Sequence, residues 1–170
     1  MIKRLLDKLV FGAALLLSLQ LPLLAEHYHQ YLAGFYQATQ LQVDGYSATA
    51  KAHQFADLDA MIAQHLQNPE PSVRDDARQK QATVDLLQEL QAGIYTFEQG
   101  YLPEKLWFML QPKRLPQLQA VVKNFTPGIP LTGEALLFAV LCALLLNLLL
   151  MWPFYAFGRQ KTIKQHEVRS

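Results

Sequence analysis

The sequence predicts an all-α membrane protein, two antiparallel transmembrane helices carrying an extracytoplasmic helical hairpin or bundle. Three observations predict it. Leu136 to Met151 reads LLFAVLCALLLNLLLM, sixteen residues without a charge. With Leu131 before it and Trp152, Pro153 and Tyr155 after it, this run approaches the roughly 20 residues that cross a hydrocarbon core as a helix. A second apolar stretch, Leu5 to Ala25, lies near the N-terminus. Between them no segment alternates with period two for long enough to read as a strand.

The first span, residues 1–25, follows the basic start Met-Ile-Lys-Arg. A signal peptide has a similar layout, but a cut after Ala25 would place Leu23 where a small residue is needed. The apolar stretch is also long for a signal, so it reads as an uncleaved anchor. Lys8 can snorkel toward headgroups, and Asp7 can pair with Lys3 or Arg4. Pro22 predicts a kink near the far interface.

Basic residues set the orientation. Lys3, Arg4 and Lys8 precede or open the first span, and Arg159, Lys161, Lys164 and Arg169 lie in the tail, residues 158–170. The middle, residues 26–131, holds eight basic and eleven acidic residues, a net charge of −3. The overall charge of +1 hides this segregation. Both termini are therefore expected in the cytoplasm of a bacterial inner membrane, with the middle in the periplasm. Tyr28 and Tyr31 at one end, and Trp152 and Tyr155 at the other, suit interfacial aromatic belts.

The middle opens with Tyr28, Leu32, Phe35, Thr39 and Tyr46 at helical steps, an extension of the first helix to about Gln54. Gly34 and Gly45 weaken it, and Gly45 after Asp44 predicts a break. A short helix over 57–67 carries Leu58, Met61, Ile62, His65 and Leu66 on one side, with Asp57 or Asp59 at its start. Asn68-Pro69-Glu70-Pro71 is a loop. Ser72-Val73-Arg74-Asp75 then resembles a capping box, and Val73, Ala77, Val84, Leu87, Leu90, Ile94 and Phe97 form a long apolar stripe ended by Gly100. An aromatic segment, 102–110, follows. Pro112 and Pro116 bracket a turn, and Leu115, Leu118, Val121, Val122 and Phe125 predict a last amphipathic helix. Thr126-Pro127-Gly128-Ile129-Pro130 links to the second span, residues 132–157, where Thr132 is the expected N-cap.

In the second span Ala135, Ala139, Ala143 and Asn147 recur every four residues, a small-residue stripe that lets helices approach closely in lipid. The first span offers Gly12, Ala14 and Ser18. Antiparallel depth counting places Ser18 near Ala139 and Gly12 near Asn147. An intramolecular seam is the expected use, with a homo-oligomer or a partner helix as the alternative. Asn147 is expected to hydrogen-bond across the seam. No membrane carboxylate stands beside it in this reading, so an ion pathway is disfavoured.

Chemistry is sparse. One cysteine, Cys142, excludes internal disulfides and thiol metal clusters. His27, His29, His53, His65 and His166 lack chelating spacing, and there is no HExxH, GxSxG or phosphate-binding glycine loop. No metal or cofactor is expected. The pairs Asp57 with Asp59 and Asp75 with Asp76 stand at helix starts, where dipole compensation accounts for them. Phe97, Tyr101, Trp107 and Phe108 form an aromatic cluster. Core packing is its plain role, and Tyr101, Lys105, Trp107 and Phe108 are the candidate lipid or partner surface. Lys113 and Arg114 could join Lys105 in meeting lipid phosphates.

The start MIKRLLDKLVFGAALLLSLQLP and the segment NFTPGIPLTGEALLFA resemble a proteobacterial family of inner-membrane proteins catalogued as domain of unknown function 2937. The resemblance covers nearly the whole chain. It implies two spans and a helical extracytoplasmic domain, and supplies no activity or active-site residue. The expected function is a non-enzymatic accessory, scaffold or assembly factor of a membrane complex, with lipids and a protein partner or second copy as its contacts and no nucleic acid. A ligand- or lipid-binding sensor is one alternative. An enzyme whose site joins Glu26, His27 or His29 to Asp57 or Asp59 is another.

Overall fold

The computed structural model describes the backbone of residues 2–167 and the side chains of residues 4–152. Every regular element among the described residues is helical: α1 (Ile2–Ala52), α2 (Leu58–Leu66), α3 (Pro71–Gln99), α4 (Leu102–Met109), a 3-10 turn (Pro112–Arg114), α5 (Leu115–Lys123) and α6 (Gly133–Glu167). Two helices are long and apolar enough to cross a membrane, Arg4–Ala52 within α1 and Gly133–Trp152 within α6. The backbone divides into two units, Met1–Leu24 with Phe125–Ser170, and Ala25–Asn124. Expectations for the side chains of Lys3, Pro153, Tyr155, Arg159, Lys161, Lys164, His166 and Arg169 lie outside the described residues.

The first unit holds the start of α1, the link and α6. Thr132 caps α6, its Oγ1 accepting from Ala135 N at 3.4 Å, and Glu134 sits in the acidic first turn. The link carries Pro127 and Pro130, each of which fixes its own φ. It is also clasped by Gln20, whose Nε2 donates to Gly128 O and whose Oε1 accepts from Gly128 N, both at 3.2 Å. A carboxamide in an apolar helix thereby satisfies both backbone groups of a residue that lies outside any helix. Helix α6 extends ten residues past the expected end of the second span at 157.

The second unit begins at Ala25. No break occurs at Gly45: α1 runs through Pro22, Gly34 and Gly45 to Ala52. A helical glycine costs about 1 kcal/mol, too little to interrupt a helix whose next turn buries Ala50 and whose Thr49 hydroxyl bonds back to Gly45 O at 3.0 Å. The chain leaves the helix instead at Gln54, whose φ of 63° is left-handed. Asp57 then caps α2 by accepting from Ala60 N at 2.7 Å, and Met61 and Ile62 are buried.

Ser72 does not cap α3. The helix starts one residue earlier, at Pro71, because proline presets φ and needs no hydrogen-bond acceptor at the first position. Ser72 Oγ donates to Glu70 Oε1 at 3.3 Å. The acids expected at the helix start lie beyond its first turn: Asp75 pairs with Arg78 at 2.6 Å, and Asp76 with Lys80. Ala77, Leu90, Gly93 and Phe97 are the buried members of the α3 stripe. Gly100 closes it, and a Cβ there would meet Thr96 O at 2.5 Å.

Candidate functional site

In the first unit Ala135, Ala139 and Ala143 are all buried, as are Ala14 and Ser18 on α1. Gly12 is not at the expected place beside Asn147, and a Cβ added to it would meet nothing within 4 Å. Asp7 occupies that place, accepting from Asn147 Nδ2 at 3.0 Å. Asp7 precedes Gly12 by five residues, about 7.5 Å along a helix axis. Depth counting matched small residues to each other and missed that Asn147, a strong donor in an apolar helix, is drawn to a charged acceptor. The expectation that no carboxylate stands beside Asn147 is corrected on the same ground. Asn147 Oδ1 and Ser18 Oγ are buried without a hydrogen-bond partner among the described residues.

In the second unit the aromatic cluster divides. Phe97 and Phe108 are buried, packed edge to face at 5.6 Å between centroids. Tyr101 and Trp107 are 74% and 73% exposed. The reason is the period of α4: Leu102, Phe108 and Met109 face inward, which turns Trp107 to the opposite side. Gly93 makes room for Phe108, since a Cβ there would lie 2.8 Å from Phe108 Cζ. A shallow depression of about 490 Å³ beside Trp107 is lined by Thr96, Pro103, Glu104, Trp107, Phe108 and Gln111. Lys105 is half-buried.

Tyr28 belongs to this core and not to an interfacial belt. It is fully buried, stacked on Phe97 at 5.5 Å and edge-on to Phe108 at 6.4 Å. Its position repeats at Leu32, also fully buried, so the helix face that holds it is a core face. The hydroxyl donates to Gln117 Oε1 at 3.0 Å. Burial pushes the phenol above its ordinary value of 10.0, and the neighbouring Arg114 guanidinium partly opposes that shift. Tyr31 is partly exposed and His29 stacks on Phe97 at 5.6 Å.

Arg114 is the residue that sequence reasoning misplaced. It was grouped with surface lysines, yet it is only 7% exposed. Its guanidinium carbon lies 3.7 Å from the Phe108 ring centroid, and its Nε has no hydrogen-bond partner among the described residues. The 3-10 turn set by Pro112 points it inward. Lys113, next to it, stays outside and reaches Glu89 at 3.5 Å.

The histidines and acids are scattered. His65 meets the Phe55 ring edge at 5.8 Å, Glu26 accepts from Gln30, and Asp57 is occupied in capping α2. No group of three or more His, Cys, Asp or Glu among the described residues is placed to hold a metal ion. A second depression, about 340 Å³, lies between α1 and α5, lined by His27, Gln30, Tyr31, Ala120, Val121 and Asn124.

Comparison with curated proteins and with solved structures gave no match. A family model described as "Protein of unknown function (DUF2937)" matches residues 2–162. An all-helical chain with two helices able to span a membrane, matched by that model along nearly its whole length, belongs to the DUF2937 family.

Proposed function

We propose that the chain is a non-enzymatic inner-membrane protein, an accessory or assembly factor of a membrane complex. Residues 1–25 and 132–157 form its two spans, and residues 26–131 a periplasmic helical domain. The basic tail, residues 158–170, is cytoplasmic. The antiparallel order of the spans is supported by the bonds Gln20 to Gly128 near one end and Asp7 to Asn147 near the other. The charge asymmetry of the sequence supports two cytoplasmic termini.

The observation that carries the interaction reading is the exposed side of α3 and α4. Tyr95, Tyr101, Trp107 and Leu110 are all more than half exposed. The small-residue stripe of α6 is already buried, so association has to use another surface, and aromatic side chains are the residues that anchor interfaces. A photo-crosslinking residue at Leu110, tested in native membranes, is expected to trap a discrete protein product that Trp107→Glu abolishes. A strictly monomeric protein with no trapped product contradicts the proposal. The depression lined by Tyr31 and Asn124 favours the second reading, a ligand- or lipid-binding sensor.

A further inference from the structure

Of the six α-helices, α5 is the most amphipathic. Its inward side is settled: Val121 is buried, and Gln117 accepts the Tyr28 hydroxyl. Leu115, Leu118 and Val122, spaced three and four apart, make a second apolar stripe beside that side. Leu115 and Val122 are 40% and 51% exposed, and Leu118 is half-buried.

Depth along α1 decides what lies against this stripe. The α1 residues that face α5 are His27, Tyr28, Gln30 and Tyr31. They follow Ala25, the end of the first apolar stretch, on one continuous helix, at a rise of about 3 to 9 Å. The headgroup layer on each side of a hydrocarbon core is about 5 to 8 Å deep. A helix packed at that level lies among headgroups, and this step rests on α1 crossing the bilayer as proposed above.

The charge distribution matches such a surface. Residues 101–131 hold Lys105, Lys113, Arg114 and Lys123 against Glu104 alone, a net charge of +3. Residues 26–100 hold four basic and ten acidic residues, a net charge of −6. Arg114 is turned inward, but Lys113 and Lys123 are exposed. Lys113 meets Glu89 in an exposed ion pair, a kind that contributes little in water and leaves the ammonium available.

We propose that α5 is an interfacial helix resting on an anionic bilayer surface. Leu115, Leu118 and Val122 sit at the boundary of the acyl chains, and Lys113 and Lys123 meet lipid phosphates. Nine residues alone would bind weakly, but this helix is tethered: the nine residues 124–132 join it to α6. Docking is then intramolecular, at high effective concentration. The side chains involved are not those of α3 and α4 to which a protein partner is assigned.

The test uses the full chain with Cys142→Ala and one new cysteine carrying the fluorophore NBD, in vesicles of phosphatidylcholine and phosphatidylglycerol. Two nitroxide lipids serve as quenchers, one labelled near the headgroup and one deep in the acyl chain. Probes at Leu115→Cys and Val122→Cys are expected to be quenched several-fold more than one at Ala48→Cys, and more by the shallow lipid than the deep one. Their quenching should fall in phosphatidylcholine alone and in the double variant Lys113→Gln, Lys123→Gln. A probe at Leu144→Cys, in the second span, should be quenched by the deep lipid. Probes on α5 quenched no more than Ala48, with Leu144 quenched, overturn the proposal and leave the two spans standing. Leu144 unquenched contradicts the spans and removes the proposal with them. Blue-shifted emission at Val122 without lipid quenching means that a second copy or another protein covers the stripe, which also overturns it. Quenching unchanged by phosphatidylglycerol and by the lysine variants overturns the phosphate contacts.

Discussion

Asn147 donates to Asp7 across the two apolar helices at 3.0 Å, joining residues 140 positions apart in the chain. The bond satisfies a donor in the second helix and holds a carboxylate of the first. In lipid such hydrogen bonds are worth about 0.6 to 2 kcal/mol.

Replacing Asn147 by leucine should therefore lower stability by about 1 kcal/mol, and Asn147→Asp by more, because two carboxylates would then meet. Unfolding in mixed detergent micelles measures both. A double-mutant cycle with Asp7→Asn isolates the pair, and a coupling near zero would show that the bond contributes nothing.

Two glycines should respond oppositely to alanine. At Gly93 the new Cβ would stand 2.8 Å from Phe108, so Gly93→Ala is expected to cost about 1 to 3 kcal/mol by overpacking. At Gly45 nothing lies within 4 Å, and Gly45→Ala should stabilise by about 0.5 to 1 kcal/mol. Thermal melts followed by circular dichroism compare them directly.

The sequence carried the local signals well. Asp57 and Thr132 act as the caps their positions imply, and Gly100 closes α3. Where local and tertiary forces compete, it was silent. Gly45 looks like a break only until the buried Ala50 beyond it is known. Tyr28 suits a membrane belt by position, yet the core formed by Phe97 and Phe108 claims it. Arg114 looks like one of three surface cations until the 3-10 turn aims it inward. The aromatic segment was legible, but its division into buried Phe108 and exposed Trp107 depends on which face α3 covers.

Tyr28→Phe should cost about 0.5 to 1.5 kcal/mol at neutral pH by removing the bond to Gln117. The pH dependence has a definite sign. With its folded value raised above 10.0, the phenol's protonation contribution is full below that value. It is lost as pH rises through the raised value, because the unfolded chain then releases the proton more easily. The wild type should lose stability more steeply than Tyr28→Phe above about pH 10, read from melts at rising pH.

Asp57→Ala removes the only side-chain cap of α2 among the described residues and should cost about 1 kcal/mol. Asp57→Asn should restore most of it. Chemical denaturation midpoints distinguish the two.

The central claim is that α1 and α6 cross a bilayer with the middle of the chain outside. Labelling of single cysteines with a membrane-impermeant maleimide in intact spheroplasts tests it most directly, with Cys142→Ala as background. A cysteine at exposed Ala48 should react before lysis, and one appended after Ser170 only after it. Reaction of Ala48→Cys only after lysis, or of both positions before it, would contradict the account.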